Sequence, residues 1–219
     1  MTDTVSIPLA KRRDAILAEL AQAASPPPCL VAVSKTQPDA KIDAMLAAGQ
    51  RVFGENRVQE AQAHWADRRA LYPDLELRLI GPLQTNKAED AVALFDVIET
   101  LDRVKLARAL AKAVKKAGRA PAIFIQVNTG DEPQKAGVTP DGLADLLKVA
   151  VDECGLDVQG LMCIPPVDEP AGPHFALLAK LAKRHGLTGL SMGMSGDYAL
   201  AASLGATHVR IGTALFGAR

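Results

Sequence analysis

Short apolar runs recur along this chain, separated by longer stretches whose apolar positions return at helical spacing. The first, CLVAVS at residues 29–34, is apolar without interruption and ends in a polar residue, as a strand buried on both faces of a parallel sheet would be. Further strands are predicted over residues 51–53, 77–80, 96–98, 122–127, 158–163, 188–191 and 209–211. Helices are predicted between them over 39–48, 57–70, 87–94, 104–117, 140–152, 173–185 and 198–204. Val104, Ala107, Leu110, Ala111 and Val114 set the apolar side of one of these helices, with Lys105, Arg108, Lys112 and Lys115 on the other. An additional helix over 9–24 precedes the first strand and is stopped by Ser25-Pro26-Pro27-Pro28.

Eight strands, each separated from the next by a segment able to form a helix, predict parallel α/β architecture. The expected fold is a single-domain (β/α)8 TIM barrel with an additional N-terminal helix, occupying residues 1–219 as one domain. A doubly wound open sheet is the alternative. No internal repeat, low-complexity segment or long linker divides the chain, and the prolines at 26–28 read as a turn.

Composition narrows the function classes. The 219 residues carry 25 Lys+Arg against 25 Asp+Glu, so no net charge draws the protein to nucleic acid, while an anionic small molecule remains compatible. Cys29, Cys154 and Cys163 are too widely spaced for a disulfide framework or a zinc site and suit a reducing compartment. The start MTDTVSIPLAKRRD lacks the apolar stretch of a signal peptide, and no run reaches the length of a membrane span; a cytoplasmic protein is expected. His64, His174, His185 and His208 show no HxH or HExxH spacing, so no metal is expected.

In a barrel the ligand site lies where strands pass into βα loops. Lys35 follows the first strand there, beside buried surface, where its amine could form a Schiff base with an aldehyde or simply reach solvent. Glu55 and Asn56 follow the second strand and could point into the mouth, although Asn56 could equally cap the next helix with Gln59 at its third following position. Gln84, Asn86 and Lys87 offer the same ambiguity, and residues 128–137 form a polar loop that could cover a ligand or be a hydrated connection. The segment Met192-Gly193-Met194-Ser195-Gly196-Asp197 after strand seven and Gly212-Thr213 after strand eight have the make-up of a phosphate cup, with hydroxyls from Ser195 and Thr213. Ser195 could alternatively be a plain helix cap. Arg210 stands inside the last apolar strand and requires a partner there, whether a carboxylate, a carbonyl or a bound ring nitrogen.

In chain order, AVSKTQP (32–38), FGENRVQE (53–60), IGPLQTNK (80–87), VNTGDEPQKAG (127–137), GLMCIPP (160–166), SMGMSGD (191–197) and VRIGTALFG (209–217) resemble the YggS/PROSC family, the pyridoxal phosphate homeostasis proteins. The resemblance spans nearly the whole chain. It implies the barrel domain of alanine racemase without the second domain, and pyridoxal 5'-phosphate (PLP) held through a lysine aldimine and a phosphate cup without an established catalytic turnover. By it Lys35 is the attachment lysine, Asn56 lies near the cofactor, Ser195, Gly212 and Thr213 meet the phosphate, and Arg210 faces the pyridine nitrogen. Pro82 departs from the family's IGHLQ segment, removing a polar ring near the site. A monomer is expected, with transient contact with PLP-dependent apo-enzymes and no nucleic-acid or membrane partner. The alternatives are a weak PLP-dependent racemase or lyase, a phosphate-sugar enzyme of ordinary barrel type, and a protein or RNA adaptor.

Overall fold

The computed structural model describes residues 8–217. Its eight strands are β1 (Cys29–Val33), β2 (Val52–Glu55), β3 (Glu76–Leu79), β4 (Val97–Leu101), β5 (Ala122–Gln126), β6 (Val158–Met162), β7 (Gly189–Ser191) and β8 (His208–Ile211). They close into one barrel in sequence order, every pair parallel, with β8 returning to β1 through Leu30 opposite Val209 and Val31 opposite Arg210. The expected TIM barrel is therefore observed, and the open sheet is not. Around it lie α1 (Leu9–Ala23), α2 (Asp39–Ala47), α3 (Val58–Leu71), α4 (Ala88–Leu94), α5 (Val104–Ala117), α6 (Leu143–Lys148), α7 (Ala171–Arg184), α8 (Tyr198–Ser203) and α9 (Thr213–Phe216). Among the described residues no helix is long and apolar enough to cross a membrane.

Alternation along each strand divides the side chains between two layers. Leu30, Ala32, Phe53, Leu77, Leu79, Ile98, Leu161, Val209 and Ile211 face the helices and form the larger core with Trp65, Phe95, Phe175 and Phe216. The inner face of the barrel holds a separate small apolar cluster of Val97, Phe124 and Met162. Space for Phe124 depends on Gly189, where an added Cβ would lie 2.7 Å from the ring.

Polar groups share that interior. Arg78 donates to Glu99 at 2.5 Å and to Glu76 at 2.6 Å, and its guanidinium lies 5.2 Å from the Phe124 ring centroid. His208 meets the same ring edge-on, with centroids 5.7 Å apart. Burial, reinforced by Arg78 and Arg210 and only partly opposed by Glu99, lowers its pKa from 6.5 to about 4. The unfolded chain therefore takes up the proton first: the neutral imidazole's stabilisation is complete above pH 6.5 and is lost as pH falls toward 4. The loss amounts to roughly 3 kcal/mol over that interval. Urea unfolding of wild type and His208→Gln at several pH values should show the variant losing correspondingly less stability on acidification. Parallel curves would remove His208 as the cause.

Sequence and structure differ mainly at element ends. β4 continues through Glu99 and Thr100 to Leu101, three residues past the predicted end, because the barrel interior accommodates the charge that reads as a loop signal. The helix expected over 140–152 begins at Leu143 and passes into a π-turn at Val149–Glu153.

Candidate functional site

The C-terminal ends of the strands open on a cavity of about 320 Å³, within the range of small-molecule sites. Lys35, Asn56, Ser195, Arg210, Gly212 and Thr213 all line it. Its apolar walls are Val33, Ile80, Ile164 and Met194, and Gly196 completes the lining.

Each polar group arrives by a different local device. Lys35 leaves β1 in a turn closed by the Gln37 amide donating to the Ser34 carbonyl at 3.0 Å. Asn56 follows β2 but does not cap α3, whose N-cap position is Arg57 with no side-chain capping bond. The backbone of Asn56 passes so close to Gly81 that a Cβ there would lie 2.3 Å from the Asn56 carbonyl oxygen. Gly81 is thus required for the second and third βα loops to meet, and Thr100 fixes it by donating to its carbonyl at 2.8 Å. Gly193 serves the seventh loop: its φ is +93° and a side chain would strike Ala201, 2.5 Å away. Ser195 is not the cap of α8. That position is Asp197, whose carboxylate takes the Met194 amide at 2.6 Å, while Ser195 Oγ accepts the Ala214 amide of α9 at 3.2 Å. The two glycine-rich loops are therefore joined directly at the cavity.

Arg210 rises from the barrel interior, 4% exposed. It donates to Ser191 Oγ at 2.7 Å and to the Cys163 carbonyl at 2.8 Å, and lies 4.0 Å from the Glu99 carboxylate. Ser191 in turn donates to Glu99 at 2.5 Å. Burial alone would raise the pKa of Glu99, but Arg78, Arg210 and the Ser191 and Arg78 hydrogen bonds outweigh it and hold the carboxyl below its ordinary value. Cys163, behind Arg210, is pushed up to about 12 by burial and stays a thiol.

Several polar residues marked in the sequence stand elsewhere. Glu55 is the last residue of β2 and turns outward, away from the mouth, to accept from Ser34 Oγ at 2.6 Å and Trp65 Nε1 at 3.1 Å, with His64 Nδ1 at 2.9 Å. Glu55, Glu60 and His64 offer potential metal-ligand atoms within 4.8 Å of one another, but these groups already bond to each other and to the β1 turn. Gln84 and Lys87 line a neighbouring depression with Arg57 and Pro82. The loop after β5 closes on itself: Asn128 donates to the Glu132 carbonyl at 2.7 Å, and Lys135 pairs with Glu132 at 2.5 Å. Ile80 and Ile164, apolar residues close to strand ends, carry no chemical signal of their own in the sequence, and Met194 stands as an apolar member of the glycine-rich segment after β7. Glu99 went unmarked because the predicted strand stopped one residue before it.

Residues 14–219 match the family described as the alanine racemase N-terminal domain. A pyridoxal phosphate homeostasis protein of Pseudomonas aeruginosa is 43% identical over 210 residues, spanning 92% of this chain and 90% of that protein. Its counterpart in Escherichia coli is 36% identical over 223 residues, spanning 96% and 95%. The PLP-bound structure of PipY from Synechococcus elongatus is 39% identical with a TM-score of 0.83, covering 95% of this chain and 100% of that one. Alanine racemase of Clostridium difficile shares the fold, with a TM-score of 0.76 at 14% identity over 97% of this chain and 57% of its own. Identity of this extent along nearly the full length, on a closed barrel whose mouth gathers the motif residues, places the chain in the YggS/PROSC family of pyridoxal phosphate homeostasis proteins, built on the alanine racemase barrel.

Proposed function

We propose that this protein binds pyridoxal 5'-phosphate in the barrel-mouth cavity and holds it for PLP homeostasis without turnover. The observation that carries this reading is the convergence of Lys35, Arg210 and the Ser195 and Gly212-Thr213 loops on one cavity. The donor set fits the group. PLP supplies an aldehyde, an aromatic ring with a basic nitrogen, and a phosphate. Lys35 offers the amine for the first, the apolar walls and Arg210 would meet the second, and the loop hydroxyls and amides would receive the third, with Asn56 in the same lining near the cofactor.

The same lining favours holding over chemistry. Lys35 is the one lining side chain among the described residues suited to proton transfer at an amino-acid Cα, whereas racemisation uses a second acid/base group on the opposite face. Arg210 is a permanent cation fixed by Glu99, Ser191 and Cys163, so it disfavours a proton on a nitrogen facing it and weakens the ring as an electron sink. The proposal extends to residues 1–219 acting as one cofactor-binding domain, monomeric and cytoplasmic. The holder then meets PLP-dependent apo-enzymes transiently and has no nucleic-acid partner.

Equilibrium titration with PLP and with unphosphorylated pyridoxal tests the assignment. Losing one hydrogen bond to a charged group costs about 1.5–3 kcal/mol, or about 10- to 150-fold in affinity. Thr213→Val is expected to weaken PLP by such a factor and pyridoxal little. Equal weakening of both ligands counts against a phosphate contact, and no binding of PLP by wild type counts against the function.

A further inference from the structure

The turn that presents Lys35 is strained. Ser34, Lys35, Thr36 and Gln37 form a turn closed by the Gln37 amide on the Ser34 carbonyl at 3.0 Å, with Thr36 at its third position. Thr36 has a φ of +59°. A positive angle at that position is the sign pattern of turns that take glycine or asparagine there, and a β-branched residue adopts it only when its surroundings impose it. Two carboxylates supply the constraint, one on each side of the lysine. Ser34 Oγ donates to buried Glu55 at 2.6 Å, and the Thr36 amide donates to Glu60 Oε1. Glu60 projects from the first turn of α3. One turn further along that helix His64 and Trp65 grip Glu55, at 2.9 and 3.1 Å. Helix α3 thus holds both flanks of Lys35 without lining the cavity itself.

We infer that Glu60 is a positioning residue for Lys35: by accepting the Thr36 amide it maintains the left-handed turn that delivers the lysine amine to the barrel mouth. The inference rests on the proposed attachment of PLP at Lys35, and it gives the family resemblance at FGENRVQE a physical role for its last residue. Glutamate suits the task because an ionised carboxylate is a stronger acceptor for an amide than a neutral group. Threonine makes the task necessary, since glycine would adopt the same φ without help.

The test pairs a ligand-free readout with a ligand-dependent one. In the apo-protein, amide hydrogen exchange at residue 36 should be protected in wild type and accelerate by about tenfold or more in Glu60→Ala, the loss expected for one charge-assisted hydrogen bond. With PLP, the rate of borohydride-trappable attachment at Lys35 should fall by about the same factor in Glu60→Ala. Noncovalent affinity for phosphate-bearing PLP and the unfolding midpoint should change far less. Glu60→Gln, which keeps an acceptor oxygen, should recover much of the rate, and Thr36→Gly combined with Glu60→Ala should recover it by removing the strain. Unchanged exchange at residue 36 in Glu60→Ala overturns the inference whatever the ligand does. A slowed rate that Thr36→Gly does not restore overturns it as well, because Glu60 would then act by another route. Faster exchange in Glu60→Ala together with no trapping in wild type would uphold the clamp and count against the proposed function alone.

Discussion

Lys35→Ala protein treated with PLP and borohydride is expected to carry no covalent cofactor, while wild type is labelled once per chain. Lys35 is the lysine that lines the mouth cavity, and its amine has no hydrogen-bond or ion-pair partner among the described residues. It is free to attack an aldehyde carbon, with the carbonyl oxygen leaving as water. Other lysines are committed or remote: Lys41 donates to the Phe216 carbonyl at 3.0 Å, and Lys116 pairs with Glu89 at 2.6 Å on the outer surface. Because the side chain supports no packing in the core, the circular dichroism spectrum should hardly change. The proposed phosphate and ring contacts do not involve Lys35, so reversible binding should persist at reduced affinity. Peptide mapping that finds wild-type stoichiometry on another lysine would overturn the assignment of Lys35.

The barrel was legible because parallel strands buried on both faces write themselves as apolar runs, and the runs at 29–34 and 122–127 are of that kind. Glycine and hydroxyl residues after strands seven and eight mark the two loops that meet at the cavity, since a backbone in close approach, as at Gly193, leaves a compositional trace. Two kinds of feature left no such trace. Glu55 follows a glycine and reads as a loop residue, yet it closes β2 and pairs with Ser34, His64 and Trp65, a role set by tertiary contacts across at least nine residues of sequence. Glu99 and Arg210 present the same anomaly, a charge within an apolar strand, but their mutual relation depends on barrel closure bringing β4 and β8 across the interior. No periodicity reports a contact of that range. The departure at Pro82 also resolves in space, since that residue lines the depression beside the cavity instead of the cavity itself.

That cross-barrel relation carries the largest expected stability effect. Glu99 is fully buried between Arg78 and Arg210, which are 2% and 4% exposed, so one carboxylate faces two guanidiniums in the interior. Glu99→Gln preserves the shape and some hydrogen bonds but leaves both cations without that countercharge. Breaking a buried pair by removing one partner costs about 3–5 kcal/mol, and for a chain of this size each kcal/mol shifts Tm by about 2–4 °C. A fall in Tm of about 6–20 °C is therefore expected at neutral pH. The carboxyl's lowered pKa sets the pH dependence: its stabilisation is complete above the ordinary carboxylate value of 4.5 and disappears as pH falls through the lower folded-state value. The gap between wild type and variant should accordingly narrow in acid. Arg210 should also lose its fixed orientation in the variant, since Ser191 would no longer be held by an ionised partner, and PLP affinity should fall even at temperatures where the variant is folded. A Tm within about 2 °C of wild type, corresponding to less than about 1 kcal/mol, would show that Glu76 and the interior carbonyls suffice to compensate both guanidiniums.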